Sequence, residues 1–200
     1  MTLLIATAAL AGTGVADYFP LKEGTKWHYH ETGSGSPQVV VDEALPAVQI
    51  GGKPSVPVET RMDGRSIEKR YYRIDGDTVY LVAYDAEQPL SLPIPILKLG
   101  DGRTTWTYAG KTMFLGGAVP LEFKAQAVPK GKRDVLGSDR ECVEVTMEAR
   151  IDGGGGMAVV SRQVSLFAAG VGLVEMKQRQ TVAKNTSEST TKLVRIEAGT

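Results

Sequence analysis

Two stretches decide the fold: VPLEFKAQA at residues 119–127 and VEVTMEARI at residues 143–151. In the first, Val119, Leu121, Phe123, Ala125 and Ala127 share one side of an extended chain, opposite Glu122, Lys124 and Gln126. In the second, Val143, Val145, Met147, Ala149 and Ile151 oppose Glu144, Thr146, Glu148 and Arg150. Side chains of a strand point alternately to its two faces, so this period of two builds a sheet with one buried and one wet face. Antiparallel sheets have that asymmetry, whereas parallel sheets are buried on both faces.

The same pattern extends outward from this pair. Ile67–Ile74, Asp75-Gly76-Asp77 and Thr78–Tyr84 read as strand, tight turn and strand. Thr25–Thr32 alternates, with Trp27 and Tyr29 opposite Lys26, His28 and His30. Val39–Val41, Val56–Met62, Thr104–Tyr108, Val159–Phe167, Gly172–Val182 and Thr190–Ile196 bring the expectation to about ten to twelve strands. Many of the 23 glycines sit in short clusters between these runs, as turns require. No long amphipathic helix is evident, which excludes alternating βαβ folds. The expected fold is all-β: a single antiparallel sheet curved into a half-barrel, or a β-sandwich.

One segment resists this reading. QPLSLPIPILKL, residues 88–99, carries three prolines among leucines and isoleucines. Proline cannot donate to a ladder, so the segment cannot be a regular central strand or a helix. It reads as a crossover packed on the core, or as an extended lid over a pocket. An internal echo surrounds it. Leu21-Lys22-Glu23-Gly24 precedes Trp27 and Tyr29, and Leu97-Lys98-Leu99-Gly100 precedes Trp106 and Tyr108, which suggests two similar β-halves.

The chain has 200 residues, enough for one domain, and 42% of them are apolar, so a packed core is within reach. Lysine plus arginine and aspartate plus glutamate are 23 each. Without a basic run there is nothing to displace nucleic-acid counterions or to hold an anionic membrane surface. Residues 3–11, LLIATAALA, form an apolar run of signal-peptide length, too short to span a bilayer. Gly14-Val15-Ala16 supplies a small-x-small cleavage site, giving a signal peptide over 1–16 and a single β domain over 17–200. The run lacks a preceding lysine or arginine, which leaves a buried first strand as the other reading. The expected location is outside the cytoplasm, periplasmic or extracellular. Cys142 is the single cysteine, so no intramolecular disulfide can form.

Three pieces of the chain carry a resemblance. They are Tyr18-Phe19-Pro20-Leu21 with Gly24, Trp27 and Tyr29; Val128-Pro129 and Gly131 with Cys142 to Val145; and Ala169-Gly170-Val171-Gly172-Leu173-Val174. In this order they resemble a group of small secreted bacterial proteins and lipoproteins of unknown function. The resemblance implies an extracytoplasmic β-sheet protein, similar to the curved half-barrels of lipoprotein carriers such as LolA and LolB. It implies no activity.

Catalytic patterns fail on inspection. His28 and His30 share a face, as a metal pair would need, but that face also carries Lys26 and Thr32 and reads as solvent. Cys142 has no histidine near it in sequence and reads as a structural thiol. Ser189-Thr190-Thr191-Lys192 matches S-x-x-K without its helix or partner motifs. No cofactor or metal is expected. Three functions follow as expectations. The first is a non-catalytic exported protein binding an apolar or lipid-like ligand through Trp27, Tyr29, Leu92, Ile94, Ile96, Trp106 and Tyr108. The second is a cell-envelope structural or protein-interaction module. The third is a hydrolase, which would need two carboxylates converging in a cleft.

Overall fold

The computed structural model describes residues 14–33, 36–114, 116–153 and 158–199. A short helix, α1 (Val15–Tyr18), leads into β1 (Lys26–Thr32), β2 (Gln38–Ala44), β3 (Val48–Ile50), β4 (Lys53–Met62), β5 (Arg65–Asp75), β6 (Thr78–Asp85) and β7 (Gln88–Lys98). The second half holds β8 (Thr104–Phe114), β9 (Gly117–Val135), β10 (Ser138–Asp152), β11 (Ala158–Ala168), β12 (Gly172–Val182) and β13 (Asn185–Glu197). The expected strands are all present. The structure adds the three-residue β3, runs β9 on to Val135, and makes the proline-rich segment a strand.

One continuous antiparallel sheet runs β7-β6-β5-β4-β2-β1-β13-β12-β11-β10-β9-β8, with β3 paired to β4 off this path. It is therefore a curved sheet and not a sandwich, and its curvature goes beyond half a barrel. The two path ends, β7 and β8, lie side by side, because Trp106 of β8 donates its indole N–H to the Pro95 carbonyl of β7 at 3.1 Å. Register shifts at His28/Tyr29, Thr60/Arg61, Tyr71/Tyr72, Cys142/Val143 and Leu166/Phe167 interrupt the ladders. Each added residue on one strand bends and twists the sheet, which is how so long a sheet can wrap.

The echo in the sequence has a structural counterpart. β1, β2 and β4 to β7 form one six-stranded meander, and β8 to β13 form another. β1 opens the first and β8 opens the second, so the two Trp-x-Tyr strands occupy equivalent places. Two junctions join the halves. At one, β1 pairs with β13 from Lys26↔Glu197 to Thr32↔Thr190. At the other, β7 meets β8 with no ladder. β7 is an edge strand, paired to β6 with three register shifts, rather than a crossover or a lid. Edge positions are where a proline-bearing strand is tolerated.

The concave face is packed at the end that holds α1. Val79 and Leu97 are fully buried, and Val15, Tyr18, Val58, Tyr72, Phe123, Val145 and Phe167 join them in one cluster. Phe19 meets Tyr72 edge-on at 5.1 Å and lies 6.3 Å from Phe167. Residues 1–13 of the expected signal peptide lie outside the described residues, and its last residues fall in α1, where Val15 is buried in this cluster. Residues from the three pieces behind the resemblance meet in a second cluster that holds Trp27, Cys142 and Val171. Trp27 donates its indole N–H to the Val171 carbonyl at 2.7 Å, and the Gly170 amide bonds the Asp17 carbonyl at 2.8 Å. Cys142 shares the cluster of Trp27 and Val171, and burial pushes its thiol up, as a structural cysteine requires.

Side chains of β8 close the unladdered junction. Besides the Trp106 bond, the Tyr108 hydroxyl reaches the carbonyls of Leu92 at 3.1 Å and Lys111 at 3.2 Å. The Tyr108 ring stacks on Phe123, its register partner on β9, at 5.3 Å. It also lies across Gly110, where a Cβ would overlap the ring and hydroxyl. Gly110→Ala should therefore displace Tyr108 and destabilise the fold by about 1–3 kcal/mol. Gly117→Ala, whose Cβ would come no closer than 3.8 Å to other atoms, serves as the control. Urea unfolding of both variants checks this, and equal midpoints would remove Tyr108 from the closure.

Candidate functional site

The ladders place inward-facing residues in rows across the concave face. From β9 to β13, one row is Ala125, Met147, Gln163, Gln178 and Ser189. The next row toward the end away from α1 is Phe123, Ala149, Ser161, Gln180 and Ser187. Each row thus changes from apolar on β9 and β10 to amide and hydroxyl on β11 to β13. Met147, Ala149, Ile151, Ser161, Gln163, Met176, Gln178 and Gln180 are half-buried, while their outward neighbours Glu148, Arg150, Arg162, Lys177 and Arg179 are exposed. Half-burial of an inward row marks a lumen open to solvent beyond the packed end. Gln163 donates to the Ser165 hydroxyl at 2.8 Å, which fixes one of the amides.

The opposite wall carries charge. Trp27 pairs with Asp42, Asp42 with Thr60, and Thr60 with Glu68, which puts Asp42, Thr60 and Glu68 on the concave face with Trp27. The Thr60 hydroxyl donates to Asp42 at 2.6 Å. Arg70 sits 2.5 Å from Glu68 and 3.5 Å from the Tyr72 hydroxyl. The side chains of Arg70 and Glu68 keep 39% and 38% of their exposure, so they line a recess rather than sealed core. Burial pushes the Asp42 carboxyl above its ordinary range, more strongly than the Thr60 hydroxyl and Arg70 pull it back. Burial likewise raises the Tyr29 and Tyr72 phenols. Tyr72, Glu68 and Asp42 hold the Arg70 guanidinium above its usual range against the opposing effect of burial, so it stays charged.

The seven residues expected to bind ligand separate into two groups. Leu92, Ile94, Ile96, Trp106 and Tyr108 gather at the β7–β8 junction, with Ile94, Trp106 and Tyr108 buried and Leu92 49% exposed. Trp27 and Tyr29 lie on β1, at the other junction of the two halves, and both are buried. Tyr29 faces the charged wall through its interaction with Asp42. Asp42, Glu68 and Arg70 were not singled out by sequence reasoning. The alternation Glu68-x-Arg70-x-Tyr72 was a readable signal, but its face is set by the register shift at Thr60/Arg61.

The histidines sit on the outer face. His28 is 3.0 Å from Glu197, and the Arg195 guanidinium lies 3.2 Å from the same ring nitrogen, where it would repel a cation. Among the described residues, no group of three or more His, Cys, Asp or Glu could hold a metal ion. A shallow hollow of about 650 Å³ is lined by Thr105, Trp106, Thr107, Lys124, Ala125, Gln126, Thr146, Glu148 and Arg162. A second, of about 350 Å³, includes His30, Lys177 and Lys192.

Among solved structures, a candidate lipoprotein of Parabacteroides distasonis superimposes with a TM-score of 0.53 at 12% identity, covering 90% of this chain and 98% of its own. The likeness shows a shared fold. A candidate exported protein of Bacteroides fragilis, described as having a YmcC-like fold, gives a TM-score of 0.46 at 11% identity over 88% of this chain and 97% of its own. The hypothetical lipoprotein YmcC of Escherichia coli gives 0.35 at 9% identity over 86% of each chain. No family model and no curated protein matches the sequence. Among the described residues, no helix is long and apolar enough to cross a membrane.

The raised Asp42 carboxyl sets a pH dependence. The folded state binds its proton more tightly than the unfolded chain does, so this group costs stability as pH rises from its ordinary 3.8 through the raised folded value. Asp42→Asn removes that titration while keeping an acceptor for Thr60. The stability of the native chain relative to Asp42→Asn should therefore fall as the pH rises above 3.8. Urea unfolding at rising pH measures it, and parallel curves would mean that Asp42 is not desolvated.

Proposed function

We propose that this chain is an exported, non-catalytic protein that holds an amphipathic, lipid-like molecule in its lumen. The carrying observation is the split across the half-buried inward rows. Met147, Ala149 and Ile151 offer an apolar wall, and Ser161, Gln163, Gln178 and Gln180 offer donors and acceptors opposite. A ligand with a hydrocarbon part and a polar part matches both walls, whereas a purely apolar one would leave the amides desolvated and unpaired. Arg70 and Glu68 then meet the polar part. Export is supported by the apolar run at residues 3–11 and by a fold like that of the Parabacteroides distasonis candidate lipoprotein.

The unladdered edge of β8 favours a second reading, a cell-envelope module that binds another protein through a sheet edge. The two readings make different use of the molecule. A ligand uses the lumen, and a protein partner uses the junction.

The fluorescent fatty acid 11-dansylaminoundecanoic acid tests the lumen. It should bind the full chain saturably and near one to one. Ala149→Arg, which puts a cation on the apolar wall, should weaken binding at least tenfold, about 1.4 kcal/mol. Thr107→Arg on the outer face should leave it unchanged. Absence of saturable binding, or equal loss in both variants, would overturn the lumen as the binding site.

A further inference from the structure

We infer that the tip of the β8–β9 hairpin is a membrane-docking element, which enters the interface of a lipid bilayer at the mouth of the lumen. Residues 113–120 read MFLGGAVP and carry no charge. The ladder continues into this stretch, from Thr112↔Val119 through Met113↔Ala118 to Phe114↔Gly117. Paired residues share a face, so Thr112, Phe114 and Val119 lie on the side of Trp106 and Tyr108, and Met113 and Ala118 lie on the other. Short of the tip, and apart from Ala109, that other side carries Thr105, Thr107 and Lys111 on β8 and Glu122, Lys124 and Gln126 on β9. At the tip this alternation ends. Met113 is 40% exposed, Ala118 and Pro120 are exposed, and Phe114 and Val119 are half-buried. In water the outward positions of a one-sided sheet are polar. A hairpin end that is apolar on both faces suits a medium that surrounds it, whereas a protein partner would cover one face.

Position supports the same occupant. Thr104↔Ala127 is the rung of this hairpin nearest the packed end, so its tip lies at the open end, away from α1. The ladders bring three other turns to that end: Asp63-Gly64 between β4 and β5, Ala86-Glu87 between β6 and β7, and Ala183-Lys184 between β12 and β13. Each of these carries an exposed charge, in Asp63, Glu87 and Lys184, as water-facing turns do. The β8–β9 tip differs from all three. Its base is fixed, because the Thr112 and Tyr84 hydroxyls lie 3.0 Å apart and tie β8 to β6. Lys111, exposed just short of the tip, can hold its ammonium among lipid headgroups while its stem follows the hairpin. The choice of a bilayer rests on the proposed lipid-like ligand, which must enter and leave by this mouth.

Flotation of the full chain with phosphatidylcholine vesicles tests this. The native chain should float with the vesicles. Met113→Asp, a change at an exposed outward position, should lower the partition at least tenfold, and Met113→Leu should keep it. In Met113→Trp, the added emission should shift to the blue on mixing with vesicles, and lipids brominated along their acyl chains should quench it. No flotation, equal flotation of the native chain and Met113→Asp, or an unquenched tryptophan would overturn the inference. Self-association that Met113→Asp abolishes, without flotation, would assign the tip to a second copy of the chain and overturn it too. Binding of the dansylated fatty acid is read separately, without vesicles. Binding without flotation removes the docking tip and leaves the lumen standing, and flotation without binding does the reverse.

Discussion

The fold depends on how a sheet with a proline-bearing edge is brought round on itself. Pro89, Pro93 and Pro95 deny β7 the donors that a second ladder needs. Closure therefore passes from backbone to side chains. Trp106 and Tyr108 carry an apolar body into the core and a polar tip to the β7 carbonyls, a combination that few side chains offer. Each such bond contributes about 1 kcal/mol, less than the ladder it replaces. Gly110 is part of the same device, because the Tyr108 ring occupies the space of its missing side chain.

The two ends of the lumen are built differently, and the difference follows from which residues face inward. Near α1 the inward positions are Val58, Tyr72, Val79, Leu97 and Val145, and they seal against Val15 and Tyr18. Toward the other end the same strands place Gln163, Gln178, Gln180 and Ser189 inward. Uncharged amides and hydroxyls can face water or a ligand with little change in cost, whereas a continued apolar wall would either collapse or aggregate. On this wall Asp42, Glu68 and Arg70, from β2 and β5, each have a partner or are held toward the neutral form.

Much of this was legible in the sequence where a property is local. The alternation in residues 119–127 and 143–151 fixed both faces of β9 and β10, and the Trp-x-Tyr echo marked the first strand of each half. Parity also put His28 and His30 on the wet side of β1. The rest depends on long-range pairing. That β7 meets β8 through side chains cannot be read from the prolines alone, since it depends on the sheet curving until its ends touch. The grouping of Asp42, Glu68 and Arg70 depends on the β2–β4–β5 ladder and on one register shift, which decides which parity faces inward. The split of the seven expected ligand residues has the same origin: Trp27 and Trp106 open equivalent strands, and equivalence in two halves of one circuit places them apart.

The contrast between the two junctions bears on what the molecule is for. β1 and β13 come from opposite ends of the chain, yet they form a ladder from Lys26↔Glu197 to Thr32↔Thr190, with one register shift. β7 and β8 are joined by a short loop, which makes pairing entropically easy, yet they form none. Chain connectivity would predict the reverse. A defect at the easier junction is therefore a property of the β7 sequence itself. It leaves the β8 edge protected by a proline-bearing neighbour, which blunts aggregation, but not consumed by a ladder.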